Sequence, residues 1–306
     1  MRIYHVKYLE HSFNLELPLI LNYKYMKKSI FTFILGSTIL LTSCQKEEVN
    51  ETTPTSVAEI EQKDEISKET LEKIAALNFN SNEVEAFERT ILNGETEESY
   101  LIEGDIILSK EQVDEMQPAN ITTKQYRTYN LVSSPRTINI IGFTGSGYGQ
   151  GLTSKQQTAL QRAVQNFNDL SIGLNFTLSF GTNYSPYDIV VFQESNGQAG
   201  GIAGFPSNGN PYKWVTIYSG MESYSTSTNE HVITHEIGHS LGLRHTDWFS
   251  RQSCGQSGEP ADPDGAVYIP GTPEGYDSNS LMLACFSANE SGNFGYYDEV
   301  ALEYLY

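Results

Sequence analysis

Residues 235–245 read His235-Glu236-Ile237-Gly238-His239-Ser240-Leu241-Gly242-Leu243-Arg244-His245. Residues four apart lie on one face of a helix, so His235 and His239 can direct imidazole nitrogens at one metal ion. Gly242 adopts a positive φ angle without steric cost, which would end the helix and turn His245 back as a third ligand. If the helix continued, His245 would lie roughly 15 Å along its axis from His235. The segment therefore predicts a metal site with three histidines.

The residues around this segment predict the helix that carries it. Asn229 is a suitable N-cap, and Glu230 would lie in the positively polarised first turn. Ile233, Ile237 and Leu241 fall on the face opposite the two histidines. We therefore expect one face of the helix to pack on a core while the histidine face lines a cleft.

Three neutral imidazoles leave a fourth coordination position for water, which is typical of catalytic rather than structural zinc. Glu236 directly follows a predicted ligand and can serve that water as a general base. The four histidines after residue 26 all lie in this part of the chain, at His231, His235, His239 and His245. We assign His231 to the surface at the start of the helix and not to the metal.

These residues resemble the zinc signature of the metzincin peptidases. Met282 lies where those enzymes have their Met-turn, a methionine-bearing loop beneath the metal. The literal His-Glu-Ile-Gly-His sequence is similar to that of bacterial HEIGH-type (dual-action HEIGH) metallopeptidases. Further similarity is carried by Arg244-His245-Thr246-Asp247, Ser253-Cys254, Ile269-Pro270-Gly271-Thr272-Pro273 and Leu281-Met282-Leu283-Ala284-Cys285.

The resemblance implies an α+β metallopeptidase domain over residues 128–306, with a twisted mixed sheet, an active-site helix and an irregular C-terminal lobe. It also implies cleavage of peptide bonds within proteins with one Zn²⁺ ion. Astacin-type relatives have a tyrosine two residues after the Met-turn methionine as an oxyanion stabiliser, whereas this chain has Ala284. Tyr276 and Tyr224 are candidates for that role. Asp247 either orients a ligand histidine or lies in an exposed turn.

Residues 26–43 predict an export signal. A basic start, an apolar run and Leu41-Thr42-Ser43-Cys44 follow one another as in a bacterial lipoprotein signal, which would place a lipid on Cys44 and anchor the protein to a membrane. The alternative is a buried helix whose cysteine is incidental. Residues 1–25 fit no part of this signal, and we expect Met26 to be the true start. The protein would be an outer-membrane lipoprotein, with or without exposure at the cell surface, or be released after processing.

Residues 44–127 predict an acidic tether and a pro-segment. The chain has a net charge of −19, and residues 44–125 carry 20 acidic and 7 basic side chains. This charge argues against nucleic acid as a partner, because phosphate binding requires clustered Lys and Arg. Ile102-Glu103-Gly104-Asp105-Ile106 is similar to the astacin pro-segment motif whose aspartate caps the zinc. Asp105 is therefore either a latency switch, released by cleavage near residues 117–136, or part of a simple turn.

The cysteines and one acidic loop leave further alternatives open. If Cys44 takes a lipid, Cys254 and Cys285 remain, either bridged in an oxidising compartment or as two free buried thiols. Asp262-Pro263-Asp264-Gly265 either binds calcium or forms a plain turn. We expect no cofactor beyond the metal.

Local patterns predict the other elements. Helical spacing of apolar residues occurs in 59–77, at Val84, Phe87 and Ile91, and after Thr153 or Ser154. Dense β-branched or apolar runs predict strands at 136–143, 188–192, 200–205 and 214–218.

The sequence as a whole favours a zinc endopeptidase acting on protein or peptide substrates. Two other functions stay open, a catalytically silent surface binding or adhesion module on the same fold and a zinc hydrolase of a non-protein substrate. The presence of Glu236 argues against the silent module, because binding alone requires no base beside the metal.

Overall fold

A computed structural model of the chain describes residues 66–77, 79–92, 94–116, 127–147, 150–256, 269–273 and 275–306. They belong to one compact unit, Glu59–Tyr306. Within them, eight strands form one mixed sheet in the order β1-β2-β3-β7-β8-β6-β4-β5. The strands are β1 (Val84–Thr90), β2 (Thr96–Ile102), β3 (Ile106–Ser109), β4 (Arg136–Phe143), β5 (Leu174–Gly181), β6 (Ile189–Glu194), β7 (Gly201–Gly204) and β8 (Trp214–Tyr218). The α-helices are α1 (Lys68–Ala76), α2 (Lys110–Glu115), α3 (Ser154–Asn168), α4 (Thr226–Leu241) and α5 (Tyr296–Leu305).

The centre of the sheet is parallel and follows the predicted strand pattern. β5, β4, β6 and β8 pair in parallel, and β7 runs antiparallel to β8. Ile138 and Ile140 of β4 are fully buried, as expected of a β-branched run at the centre of a sheet. Among strands β4 to β8, the short strand β7 is therefore the outermost one on the side where β3 pairs with it.

The leading segment, which we define as residues 66–116, extends this sheet by three strands. β1 pairs antiparallel with β2, and β2 with β3. β3 then pairs in parallel with β7, through Ile106 with Ala203 and Ile107 with Gly204. The division of the chain at residue 127 or 128 stays a prediction, because a shared sheet does not tell whether the chain is later cut there.

The helix predicted from Val84, Phe87 and Ile91 is wrong. Val84–Thr90 is strand β1, and each of its seven residues has a partner in β2. Apolar residues three or four apart fit a helix face, but pairing with a neighbouring strand overrides local spacing when the partner is close in sequence. The hairpin formed by β1 and β2 can therefore be predicted only when both strands are considered together.

Helices α3 and α4 lie against the sheet. α3 begins at Thr153, one of the two predicted caps, whose hydroxyl accepts a hydrogen bond from the Gln156 amide while the Gln156 side chain accepts one from the Thr153 amide. α3 and α4 pack on each other and on the main core, to which α5 adds Ala301 and Leu302. α4 is therefore anchored by neighbours on several sides.

A second, smaller core joins the leading segment to the rest of the unit. Phe79 stacks on Phe205, which follows β7, with ring centroids 5.7 Å apart. The Phe205 ring also contacts α4, where it lies edge-on to the His239 ring with the two ring centroids 5.6 Å apart. The leading segment is thus packed directly behind the histidine cluster.

The described part of residues 242–295 contains no β-strand and only a short 3₁₀ turn at Gln252–Cys254. Together with the mixed sheet and the site helix, this confirms the predicted α+β class with an irregular C-terminal lobe. None of the described helices combines the length and the apolar composition that crossing a bilayer would require.

Candidate metal centre

The site helix α4 begins earlier than its sequence suggested. Ser225 is the N-cap, and its hydroxyl accepts a hydrogen bond from the Thr228 amide at 3.0 Å. The predicted cap, Asn229, lies inside the helix, where its side-chain amide donates to the carbonyls of Met221 and Ser225. Ser225 is the better cap because it precedes a run of Ser and Thr residues that can enter the first turn, whereas a cap at Asn229 would leave that run outside the helix. Glu230 consequently lies in the second turn.

The helix ends at Gly242 as predicted. Gly242 has a φ angle of 110°, and its amide donates to the carbonyls of Gly238 and His239. A Cβ atom there would stand 2.9 Å from the carbonyl oxygen of Asn130. The left-handed turn and this close approach both require glycine, and they direct the chain back toward the site.

The turn brings the three predicted histidines together. Ring centroids are 4.6 Å apart for His235 and His239, 4.9 Å for His239 and His245, and 5.3 Å for His235 and His245. With Asp105 they offer four ligand atoms that all lie within 4.8 Å of one another. The structure therefore places Asp105 and three imidazoles around one point.

The hydrogen bond at Nδ1 of each histidine indicates which tautomer is present. Nδ1 of His235 lies 3.0 Å from the carbonyl oxygen of Leu281, and Nδ1 of His239 lies 2.8 Å from that of Leu243. A carbonyl can only accept, so both Nδ1 atoms carry hydrogen, and in the neutral imidazole the Nε2 atom then offers its lone pair to a metal. For His245 the partner of Nδ1 is the Glu103 carboxylate, at 3.1 Å.

This donor set fits a divalent cation. The Nε2 atoms of His239 and His245 face each other at 3.3 Å, and the buried Nε2 of His235 has no hydrogen-bond partner. A hydrogen on Nε2 of His245 satisfies the contact with His239, whereas a divalent cation in its place would take a lone pair from each of the three Nε2 atoms. Three imidazoles and one further position suit tetrahedral zinc.

Asp105 lies where the pro-segment resemblance predicts it. Its Oδ2 atom is 2.9 Å from Nε2 of His245 and 3.6 Å from Nε2 of His235. Burial would raise the pKa of Asp105, but the charge of His245, the nearby His235 ring and the hydrogen bond with His245 hold it below its usual range. The same pairing, against the effect of burial, raises the pKa of His245 to about 9. The carboxylate thus takes the side of the cluster that a fourth ligand would occupy.

Glu236 faces the same cavity, which is lined by Asp105, His235, Tyr218 and the 283–286 segment. Burial, together with the charge of Asp105, raises its pKa well above the usual range. Its position depends on the neighbouring strand, because a Cβ atom at Gly201 of β7 would stand 2.8 Å from Cγ of Glu236. The glycine leaves room for the carboxylate beside the histidines.

Two sequence expectations about neighbouring residues are corrected. His231 is a buried residue in the middle of α4 and not a surface residue, and Nδ1 donates to the carbonyl of Ser291 at 3.0 Å. Burial lowers its pKa to about 4. Asp247 is fully buried and orients no histidine, since its carboxylate accepts hydrogen bonds from the Ala284 amide and from Ser253.

Neither Tyr276 nor Tyr224 lines the cavity beside Glu236. Tyr276 is exposed, and Tyr224 packs edge-on against Phe286. The tyrosine that lines it is Tyr218, at the end of β8. The sequence signal for Tyr218 was only its place at the end of a predicted strand next to the site helix.

The loop beneath the histidines holds Met282 and the two cysteines. Met282 is buried, and its carbonyl accepts a hydrogen bond from the amide of Thr246, the residue after the third histidine. Cys254 and Cys285 form a disulfide across 31 residues. The hydroxyl of Ser253, the residue before Cys254, donates a hydrogen bond to the Asp247 carboxylate and accepts one from the Cys285 amide.

Other predicted features lie outside the described residues. They are the lipidation site at Cys44, the proposed start and signal in residues 1–43, and the calcium alternative at residues 262–265.

A match to a known protein family agrees with this site. The family model described as "Dual-action HEIGH metallo-peptidase" matches residues 100–306. A search of curated proteins found no match. Two solved structures of myroilysin are similar to the chain at 14% identity, each covering 56% of this chain and respectively 93% and 83% of theirs, with TM-scores of 0.37 and 0.35.

The family match confirms the resemblance predicted from residues 235–245. It spans about two thirds of the chain and includes Asp105 as well as the whole histidine cluster. The chain therefore belongs to the family of dual-action HEIGH metallo-peptidases.

Proposed function

We propose that this zinc metalloendopeptidase hydrolyses peptide bonds of extracellular proteins, with His235, His239 and His245 as metal ligands and Glu236 as general base. The observation that carries the proposal is the convergence of three Nε2 atoms on one point, with the Glu236 carboxylate in the cavity beside it. Membership of the metallopeptidase family supports zinc as the metal and a protein or peptide as the substrate.

Zinc, when bound, lowers the pKa of a water molecule and polarises a carbonyl group. The three histidines would hold it, with their Nδ1 hydrogens fixed by Leu281, Leu243 and Glu103. Glu236 accepts a proton from water in its ionised form and then donates that proton to the amine that leaves. Its burial next to the cluster keeps this proton away from bulk solvent.

Tyr218 is our candidate for stabilising the negative charge that develops on the substrate carbonyl oxygen. Burial and the neighbouring carboxylates of Glu194 and Glu236 raise the pKa of its phenol, so it remains a hydrogen-bond donor at neutral pH. A neutral donor facing the cavity is suited to a developing oxyanion.

Asp105 would keep the full-length chain latent. Its carboxylate lies against the His235 and His245 nitrogens, and it belongs to a segment that also occupies the edge of β7. Cleavage near residues 117–136 would allow this segment to leave and open the fourth coordination position.

We also propose export and a lipid anchor at Cys44. The signal pattern in residues 26–44 supports both, and the Cys254–Cys285 disulfide supports an oxidising compartment. Attachment to the outer membrane, or release from it after processing, would bring the enzyme to extracellular substrates.

The test of this function is casein or gelatin cleavage by Asp105→Ala protein with and without a chelator. Glu236→Gln in the same background should retain one zinc per chain and lose nearly all cleavage, whereas Glu299→Ala, at an exposed position of α5, should cleave normally. Cleavage that resists the chelator would refute the metal mechanism. Stoichiometric zinc without cleavage would favour a binding module, and cleavage confined to small esters would favour a hydrolase of other substrates.

A further inference from the structure

Glu103 contacts the third histidine from the side opposite to Asp105. Its Oε2 atom accepts from Nδ1 of His245 at 3.1 Å, and its Oε1 atom accepts from the Arg244 guanidinium at 3.3 Å and from the Asn80 amide at 3.2 Å. The side chain is almost completely buried. Residues 103–105 thus place one carboxylate on each nitrogen of the same imidazole.

The backbone of the leading segment is shaped for this double contact. Glu103 has a φ angle of 57° and Gly104 one of 93°, both in the left-handed region. Such a conformation is costly for a glutamate and persists only when its surroundings compensate for it. Here the Arg251 guanidinium donates to the Glu103 carbonyl at 3.0 Å, and Arg244 lies 4.1 Å over the Phe79 ring.

The three histidines differ in where their Nδ1 partner comes from. His235 and His239 donate to the carbonyls of Leu281 and Leu243, which lie outside the leading segment. His245 alone among them donates to a residue of the leading segment, Glu103. When the segment leaves, the first two histidines keep their partners and the third loses its own.

A carboxylate on Nδ1 has a defined effect on a metal-binding histidine. It fixes the tautomer and the ring orientation, and it makes the opposite nitrogen a stronger donor to the metal. Loss of such a partner typically reduces metal affinity by about 10- to 100-fold.

We propose that Glu103 is a positioning residue through which the leading segment strengthens metal binding, so that the full-length chain retains zinc more tightly than the chain from which the segment has been removed. This rests on the proposed assignment of His245 as a metal ligand. The segment then has two separate actions on the same imidazole. Asp105 blocks the site, and Glu103 keeps it loaded.

The test is the zinc dissociation constant of the full-length chain, measured by competition with a chromophoric chelator. Glu103→Gln should bind zinc roughly 10- to 100-fold more weakly than the unchanged chain. Glu83→Gln is the matched control, because Glu83 also pairs with an arginine beyond the segment, Arg251 at 2.6 Å, but contacts no histidine. Its affinity should be unchanged.

The same pair of variants is then compared in an Asp105→Asn background. Glu103→Gln should again weaken zinc binding by a similar factor, because its effect passes through Nδ1 of His245 and not through the blocking carboxylate. With Co²⁺ in place of zinc, Glu103→Gln should also shift the visible absorption bands, which report on the ligands around the ion. Glu83→Gln should leave the bands where they are.

The outcomes separate this inference from the proposed function. If Glu103→Gln binds zinc as tightly as the unchanged chain, the inference is overturned and the proposed peptidase function is unaffected. The same holds if Glu83→Gln loses as much zinc affinity as Glu103→Gln, because the effect would then come from weaker docking of the leading segment and not from positioning of His245. An unchanged chain that binds no zinc would refute the metal site itself. If Glu103→Gln does not fold, Glu103→Asp replaces it, because the shorter side chain keeps the charge near Arg244 but moves the carboxylate oxygen away from Nδ1 of His245. Unchanged zinc affinity of Glu103→Asp would also refute the inference.

Discussion

The sulfur atom of Met282 packs against Gly238, in the last turn of the site helix and between the first two histidines. A Cβ atom at position 238 would stand 2.7 Å from that sulfur and 3.2 Å from the terminal methyl carbon. Met282 is 2% exposed, and its loop is fixed to α5 by the Asp298 carboxylate, which accepts from the Leu281 amide and the Ser280 hydroxyl. Beneath the histidines, the site helix and the Met282 loop are therefore in direct contact, because Gly238 has no side chain to hold the Met282 thioether away.

Gly238→Ala is expected to destabilise the protein by roughly 1–2 kcal/mol, because overpacking costs about 1–3 kcal/mol and higher helix propensity returns up to about 1 kcal/mol. Urea unfolding of the metal-free protein measures this difference. Gly275→Ala is the control, since a Cβ atom there meets nothing within 4 Å. Equal unfolding midpoints for the two variants would contradict the close packing.

Asp105→Ala in the full-length chain is expected to raise peptidase activity above that of the unchanged precursor, because the carboxylate would no longer occupy the side of the cluster needed for water and substrate. A quenched fluorescent peptide measures the initial rates. Asp114→Ala serves as the control, since Asp114 lies in the same segment and pairs only with exposed Lys73. A variant no more active than the precursor would end the latency hypothesis.

Tyr218→Phe is expected to lower kcat on the order of 10²-fold with little change in KM, because the lost hydroxyl is proposed to act on the oxyanion and not on the bound substrate. Steady-state kinetics in the Asp105→Ala background separate the two constants. Tyr224→Phe, whose ring packs edge-on against Phe286 but does not itself line the cavity, should behave as the parent. A rise in KM alone in Tyr218→Phe would assign the tyrosine to substrate binding.

Asp298 predicts a pH dependence of stability. Burial raises its pKa to about 6, although the Leu281 amide, the Ser280 hydroxyl and the Gly295 amide stabilise its ionised form. Because the pKa of Asp298 is higher in the folded than in the unfolded chain, the folded chain binds more protons between about pH 4 and 6. The contribution of Asp298 to the free energy of unfolding is therefore complete below about pH 4 and is lost as the pH rises through about 6. The loss is roughly 3 kcal/mol at most, at about 1.4 kcal/mol per pKa unit.

Urea unfolding between pH 4 and 7 measures this effect. Asp298→Asn should be less stable at every pH, because an amide cannot accept all three hydrogen bonds, and its curve should lack the decline that Asp298 causes. Parallel curves for the two proteins would show that Asp298 titrates normally.

The sequence was most informative where local spacing and chemistry coincide. His235 and His239 are four residues apart and Gly242 provides the turn, so the convergence of three imidazoles could be read from one segment. The central strands were predicted because they are buried on both faces and therefore consist of continuous β-branched runs.

Contacts between distant parts of the chain could not be predicted in this way. Glu103 meets His245 across 142 positions, and only the left-handed conformation of residues 103 and 104 aims its side chain there. The partners of Asp247 were missed for the same reason, since Ala284 lies 37 positions away. Strand β1 was misread because its structure is determined by its pairing with β2.

The parallel pairing of β3 with β7 has a consequence for how activity would begin. A cut after residue 116 would break the covalent link but leave that ladder, the Arg89 contacts with Tyr212 and Thr216, and the packing of Phe79 on Phe205. The severed peptide would then stay bound as a tight inhibitor of the enzyme from which it was cut. Onset of proteolysis should therefore lag behind the cut, and dilution should shorten the lag.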